Sequence, residues 1–103
     1  MMAPTDFKKE VSDWAEEISV NPKEIHIREM TRKWASCSSK GRLTFSYGLL
    51  KQNHKTRAQA IVHELLHLRY PNHGKMFTSL LISYLSKGGI DATSIKTDNT
   101  VPN

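Results

Sequence analysis

Residues 63–67 of the sequence read His-Glu-Leu-Leu-His, and a third histidine, His73, follows six residues after His67. On an α-helix, His63 and His67 lie one turn apart on the same face, so both imidazoles can reach one metal ion. Glu64 stands beside them, where a metal-bound water needs a base. These residue types at this spacing indicate metal-assisted hydrolysis.

The spacing matches the H-E-x-x-H signature of zinc-dependent peptidases. A catalytic zinc ion takes three protein ligands and leaves the fourth position to water. His63 and His67 supply two, and His73 is the natural third, because residues 70–72 break the helix and let the chain turn back. In the alternative, His73 is an exposed histidine near a helix start and a carboxylate completes the site. The carboxylates considered for that place are Glu24, Glu29 and Asp91.

A bound zinc ion lowers the pKa of its water to about 7 and polarises the scissile carbonyl. Glu64 would take the proton from that water and later deliver it to the leaving group. The helix around the motif is apolar on most sides, so it is expected to be central. Buried histidines and a buried glutamate are costly unless they are paired or bound to metal. His26 and His54 have no partner at ligand spacing and are interpreted as ordinary histidines.

The elements before the motif are a helix and a small sheet. Apolar residues at spacings of four, three and four predict a helix from Thr5 to Ser19, capped by Thr5 or Asp6. Alternation and β-branched residues predict strands over residues 24–30, 33–37 and 42–47. Residues 38–41 form the turn of a hairpin, so the sheet is expected to be antiparallel. Its core side chains are expected to be Trp34, Leu43 and Phe45.

The elements from the motif onward are two helices. The first is predicted from Lys55 to Tyr70, where Pro71 stops it. The second is predicted to start near Asn72 as a cap and to run to Ser86. Its buried stripe is expected to be Phe77, Leu80, Leu81, Tyr84 and Leu85. The fold class is therefore α+β, a single domain over residues 1–103 with a core at about 5–89 and a polar tail at 90–103.

Size and charge limit the function classes. The 103 residues suffice for one modest core, and no run approaches the roughly 20 apolar residues that cross a bilayer. The net charge of +5 is compatible with nucleic acid or an acidic substrate, although scattered exposed lysines that maintain solubility are the simpler interpretation. The lone Cys37 excludes an internal disulfide and is interpreted as a small buried residue. With no signal peptide in view, these features favour a cytoplasmic location.

Two segments together resemble the YgjP-like metallopeptidase domains, and more distantly the WLM and SprT-like metalloproteases. Residues 33–43, Lys-Trp-Ala-Ser-Cys-Ser-Ser-Lys-Gly-Arg-Leu, are similar to the family's tryptophan-x-serine-cysteine-serine segment. His63 to His67, followed by His73 and Phe77, is similar to its H-E-x-x-H-x(5)-H-x(3)-F pattern. The resemblance covers about residues 25–85 and both motifs occur in the family's order.

The resemblance implies a zincin-like fold, with His63, His67 and His73 as zinc ligands and Glu64 as general base. It also implies an edge strand beside the cleft that can pair with an extended peptide. The leading hypothesis is a zinc metallopeptidase acting on peptide or protein. One alternative is a basic nucleic-acid-associated module in which zinc is structural, and another is the same site acting on a non-peptide substrate such as a nucleotide.

Overall fold

The computed structural model describes residues 1–90, which form three α-helices and one three-stranded sheet. The predicted α+β class is confirmed. The predicted tail from Asp91 lies outside the described residues, and Ile90 is buried, with its N–H donating to the Leu85 carbonyl at 2.9 Å. In chain order the elements are α1 (Pro4–Ile18), β1 (Glu24–Arg28), β2 (Ala35–Cys37), β3 (Arg42–Ser46), a 3₁₀ helix (Tyr47–Lys51), α2 (His54–His67) and α3 (Lys75–Lys87).

The sheet is mixed rather than antiparallel. Its strand order is β1-β3-β2, with β2 antiparallel and β1 parallel to β3. The tight turn at residues 38–41 forces β2 and β3 to be antiparallel neighbours. The six residues 29–34 can span about 20 Å, enough to carry the chain past one strand to the far side of β3. Ser46 ties this loop to β3, because its N–H donates to Trp34 O at 2.8 Å and its hydroxyl to Met30 O at 3.1 Å.

Helix α2 is the central element, as its sequence predicts. It contacts α1, α3, β2 and the 3₁₀ helix, and eight of its residues are buried. Leu43 and Phe45 of β3 are fully buried, whereas Trp34 is half-buried against the same core. These contacts with four other elements hold α2 in one orientation. No helix of residues 1–90 has the length and apolar character that crossing a membrane demands.

Three local features differ from what the sequence predicted or were not predicted, and each has a local cause. Helix α1 starts one residue early, with Pro4 in its first turn and Ala3 as the cap, since proline's fixed φ suits a helix start. The linker after β3 holds the unpredicted 3₁₀ helix, whose N–H at Gly48 donates to the Ser46 hydroxyl at 3.1 Å. Helix α3 begins at Lys75 with Gly74 as its cap rather than at Asn72.

An ion pair fixes α2 against α1. Both ends of the Glu10 carboxylate accept from Arg57, at 3.1 Å from Nε and 3.2 Å from Nη2, and the two side chains are 15% and 14% exposed. Arg57 also donates from Nη1 to the Gln52 carbonyl at 2.8 Å. We expect Glu10→Gln to lower the free energy of unfolding by about 2 kcal/mol, because it leaves a buried guanidinium without its charge partner. Glu17→Gln, an exposed change on the same helix, should change it by less than about 0.5 kcal/mol in the same urea titration. Equal changes in the free energy of unfolding of the two variants would contradict a stabilising role of the ion pair between Glu10 and Arg57.

A close approach at the end of α3 provides a second stability prediction. A Cβ on Gly88 would lie 2.6 Å from Cη2 of Trp14, which packs partly buried against the core. We expect Gly88→Ala to destabilise the protein by about 1–3 kcal/mol, because the indole would have to move. Thermal unfolding of Gly88→Ala in a Trp14→Leu background serves as the control. There the glycine change should cost little, and an undiminished cost would mean that the indole is not the obstacle.

Candidate metal centre

The three histidines of the motif converge although they come from two segments. His63 and His67 lie on consecutive turns of α2, and His73 lies in the loop before α3. Nε2 of His67 is 3.1 Å from Nε2 of His63 and 2.8 Å from Nε2 of His73. Within residues 1–90 they form the one group of three potential metal-ligating side chains, with ligand nitrogens all within 4.8 Å of one another.

A tight turn after α2 brings His73 back to the helix. The N–H groups of Arg69 and Tyr70 both donate to the Leu66 carbonyl, at 3.0 and 2.8 Å, which closes the last turn before Pro71. The same turn directs the Tyr70 carbonyl at Nδ1 of His67, 3.2 Å away. Nδ1 of His67 therefore carries the proton, and its Nε2 lone pair is left for a metal. The sequence could not identify this carbonyl.

Phe77 supports all three imidazoles. This fully buried ring lies one turn into α3, with its centroid 5.2 Å from His63, 4.8 Å from His67 and 4.9 Å from His73. Contact with this ring therefore limits the rotation of each imidazole. Packing at this position explains why a phenylalanine four residues after His73 belongs to the pattern.

The donor set fits a zinc ion. Bond lengths of 2.0–2.1 Å at tetrahedral angles separate ligand nitrogens by about 3.3 Å. The two pairs that His67 forms, at 3.1 and 2.8 Å, would therefore open by a few tenths of an ångström. Nδ1 of His63 is buried and has no hydrogen-bond partner among the described residues. The polar contact of that ring is made through Nε2, toward His67. A cation between the converging Nε2 atoms would remove the repulsion between their lone pairs.

Burial favours the neutral form of His63 and of His67. Burial, reinforced by His67 and His73, lowers the pKa of His63 from 6.5 to about 3. Burial and then His73 lower the pKa of His67, which the Tyr70 carbonyl partly offsets. Neutral imidazole is the form that binds a metal, so His63 and His67 remain competent ligands at neutral pH.

These shifts predict how the metal-free protein responds to acid. Unfolded His63 takes up a proton near pH 6.5, whereas folded His63 stays neutral down to about pH 3. Between these values the unfolded state binds more protons, so the free energy of unfolding decreases as the pH falls. We expect a loss of about 2 kcal/mol attributable to His63 between pH 6.5 and pH 4.5, measured by urea unfolding in chelator. In His63→Gln, the free energy of unfolding should depend less on pH between pH 6.5 and pH 4.5. An unchanged pH dependence would contradict the lowered pKa of His63.

A cleft of about 480 Å³ opens over the histidines, between α2 and the hairpin. Glu64 is buried at its floor, 4% exposed. Cys37 lines the same cleft and is half-buried, which corrects its interpretation as a small buried residue. Burial, and then the nearby charge of Glu64, raise the pKa of the Cys37 thiol. The remaining polar side chains of the lining, which the sequence did not identify as site residues, are Lys33, Ser36, Ser38 and Ser39.

The alternative ligands are engaged or lie elsewhere. Glu24 is in β1, where its carboxylate accepts from Nε of Arg42 at 2.7 Å, and that guanidinium lowers its pKa. His26 lies on the same strand, 3.7 Å from Glu24, and His54 is the exposed first residue of α2. Glu29 lies outside the histidine group, and Asp91 lies outside the described residues.

Comparisons with known proteins show the family of this chain and a solved structure with a similar fold. The sequence profile of one family, described as YgjP-like, metallopeptidase domain, matches residues 2–91. No curated protein matches the chain. Among solved structures, the chain is similar to the crystal structure of the metallopeptidase zymogen of Pyrococcus abyssi abylysin, with a TM-score of 0.65 and 16% identity. The match covers 82% of this chain and 97% of that one, and at this identity it shows a shared fold.

Proposed function

Since this chain belongs to the YgjP-like metallopeptidase domain family, we propose that it is a zinc-dependent peptidase with His63, His67 and His73 as ligands and Glu64 as general base. One observation carries the proposal. Three imidazole nitrogens converge at 3.1 and 2.8 Å in a cleft that also contains a buried carboxylate. Metal-assisted hydrolysis needs this combination of neutral ligands and an adjacent base.

Each residue then has a defined task. The zinc ion supplies the Lewis acid that makes water acidic enough to ionise near neutral pH. Glu64 accepts the proton from the attacking water and returns it to the leaving amine. Tyr70 holds His67 through its carbonyl, and Phe77 holds all three rings in place. By residue type, Tyr47, Tyr70, Tyr84, His54 and Arg69 are candidates for stabilising the oxyanion, but none of the five lines the cleft.

The edge strand β2 is suited to bind an extended peptide. The order β1-β3-β2 leaves one side of β2 unpaired within the described sheet, and its residues 35–37 line the cleft. A substrate strand adding to this edge would gain backbone hydrogen bonds without requiring a particular side chain. It would also lie across the three histidines, which places a scissile carbonyl near Glu64.

The alternatives differ in measurable ways. A structural zinc site is closed by a fourth protein ligand, and Cys37, the neighbouring thiol, is not part of the convergent group. A nucleic-acid module with such a zinc would bind oligonucleotides and show no hydrolysis. A nucleotide substrate would leave peptides intact. A cytoplasmic location remains a prediction, compatible with a single unpaired cysteine.

The proposal is tested by reconstitution. The chain is stripped with chelator, reloaded with one equivalent of zinc, and incubated with casein, with a nucleoside triphosphate as the alternative substrate. We expect casein fragments from the zinc-loaded form alone, together with a higher Tm when zinc is added, because the preformed site binds zinc more tightly than the unfolded chain does. Intact casein with hydrolysed nucleotide would move the activity to the non-peptide class. Zinc binding without hydrolysis of either would favour the structural role.

A further inference from the structure

A second cavity of about 430 Å³ adjoins the metal cleft on the other side of the hairpin turn. Resting on the proposed function, we propose that it is a subsite that binds a carboxylate of the substrate, so that the enzyme prefers peptides with Asp, Glu or a free C-terminus beside the scissile bond. The two cavities share Ser38, Ser39 and His67 in their walls. A strand bound across the histidines would reach this cavity along the wall that the two cavities share.

Three cations line this cavity: Lys23, Lys40 and Arg69. Among its described lining residues there is no aspartate or glutamate, and none of the three cations forms an ion pair within residues 1–90. By contrast, Lys9, Arg42 and Arg57 elsewhere on the surface each have a carboxylate partner. The cavity is therefore a concentration of uncompensated positive charge next to the proposed reaction centre.

Hydrogen bonds and packing hold the backbone at Lys23 and Lys40, the stem of Lys23 and the guanidinium of Arg69. The stem of Lys23 lies across Gly41, where an added Cβ would be 3.3 Å from its Cγ, and the Lys23 N–H donates to the Gly41 carbonyl at 2.9 Å. Lys40 sits in a turn whose N–H groups at Lys40 and Arg42 both donate to the Ser38 hydroxyl, at 3.3 and 3.1 Å. Arg69 donates from Nη2 to the Ser19 carbonyl at 2.8 Å. A preorganised site loses less entropy when a ligand binds.

The charge distribution of the fold favours the same ligand. Five of the eight acidic residues within residues 1–90 lie on α1, and Glu64 is the one acidic side chain in the lining of either cavity. The helix ends at Ser19 and Leu68 contribute about half a negative charge each, which is less than the three full positive charges. An anion is therefore the preferred occupant, and in a peptide strand that anion is a carboxylate.

The test uses matched peptides. A casein site cleaved by the zinc-loaded protein is mapped, and amidated peptides are made with Glu, Gln or Lys at each of three positions on both sides of it. We expect kcat/KM for Glu to exceed that for Gln by about fivefold at one or two positions on one side, with Lys lower still. The preference should shrink when salt is raised from 0.05 to 0.5 M. A free-acid peptide that ends in the cavity distinguishes a C-terminal carboxylate from a side chain.

Charge-reversal variants identify the residues. Lys23→Glu/Lys40→Glu should remove or invert the Glu preference, measured as the ratio of kcat/KM for the Glu peptide to kcat/KM for the Gln peptide. Lys8→Glu, an exposed lysine on α1 that lines neither cavity, is the control and should retain the preference. The proposal is wrong if the wild type has equal kcat/KM for the Glu and Gln peptides. It is also wrong if the ratio of these two values is the same in the double variant as in the wild type.

A binding measurement separates this proposal from the peptidase proposal. Zinc-loaded Glu64→Gln is titrated with fluorescent Glu and Gln peptides and with a dT12 oligonucleotide. Tighter binding of the Glu peptide, lost in the lysine variants, supports the subsite even if no peptide is hydrolysed. Equal binding of the two peptides, with tighter lysine-dependent binding of the oligonucleotide, would overturn it and make the cavity a nucleic-acid contact.

Discussion

Glu64→Gln should abolish most turnover while the protein keeps its zinc. The amide has nearly the shape of the carboxylate but cannot accept a proton, so we expect kcat to fall by about 10²–10⁴-fold. The zinc content should remain near one equivalent, because the three histidines are unchanged. Hydrolysis of casein and zinc content are measured on the same preparations.

The control for this change is Glu17→Gln, on the exposed face of α1. It alters the net charge by the same amount and should leave turnover unchanged. Circular dichroism would establish that both variants are folded. Turnover by Glu64→Gln equal to that of the wild type would remove Glu64 as the base, and loss of zinc in the variant would make it a ligand instead.

His67→Ala should have the largest effect on metal binding. His67 is the central imidazole of the three, within 3.1 Å of His63 and 2.8 Å of His73. We expect zinc affinity to fall by more than about a hundredfold, since loss of an outer partner of a ligand alone costs about 10–100-fold. Competition with a zinc-binding dye measures the affinity.

His26→Ala provides the matched control, because His26 is an exposed strand histidine outside the convergent group. Its zinc affinity should equal that of the wild type. If His67→Ala binds zinc as tightly as His26→Ala, the metal lies elsewhere and the proposed ligand set is wrong.

Periodicity predicted the helices well and the topology only in part. Phe7, Val11 and Ile18 give α1 one apolar face, and all three are buried. The parallel pairing of β1 with β3 could not be predicted, because strand order depends on where residues 29–34 cross and not on alternation within a strand. The start of α3 was also missed. Asn72 has the composition of a cap, but the tight turn at Tyr70 and Pro71 leaves residues 72–74 outside the helix.

For the site, local spacing was informative and distant neighbours were not. The spacing of His63 and His67 determines that they share a helix face, and Pro71 signals the turn that returns His73. The Tyr70 carbonyl on His67 depends on the backbone path, and no side-chain pattern encodes it. The same holds for Lys33, which reaches the cleft from the loop before β2, and for the cavity between Lys23 and Lys40, residues 17 positions apart in the sequence.

X-ray absorption at the zinc edge of the reconstituted protein tests the central claim most directly. The geometry predicts four nitrogen or oxygen neighbours at 2.0–2.1 Å, three of them with the multiple scattering of imidazole rings, and no sulfur in the shell. The spectrum of Cys37→Ser should be identical. A zinc–sulfur distance near 2.3 Å, or multiple scattering from four imidazole rings, would show a closed structural site and contradict the hydrolase.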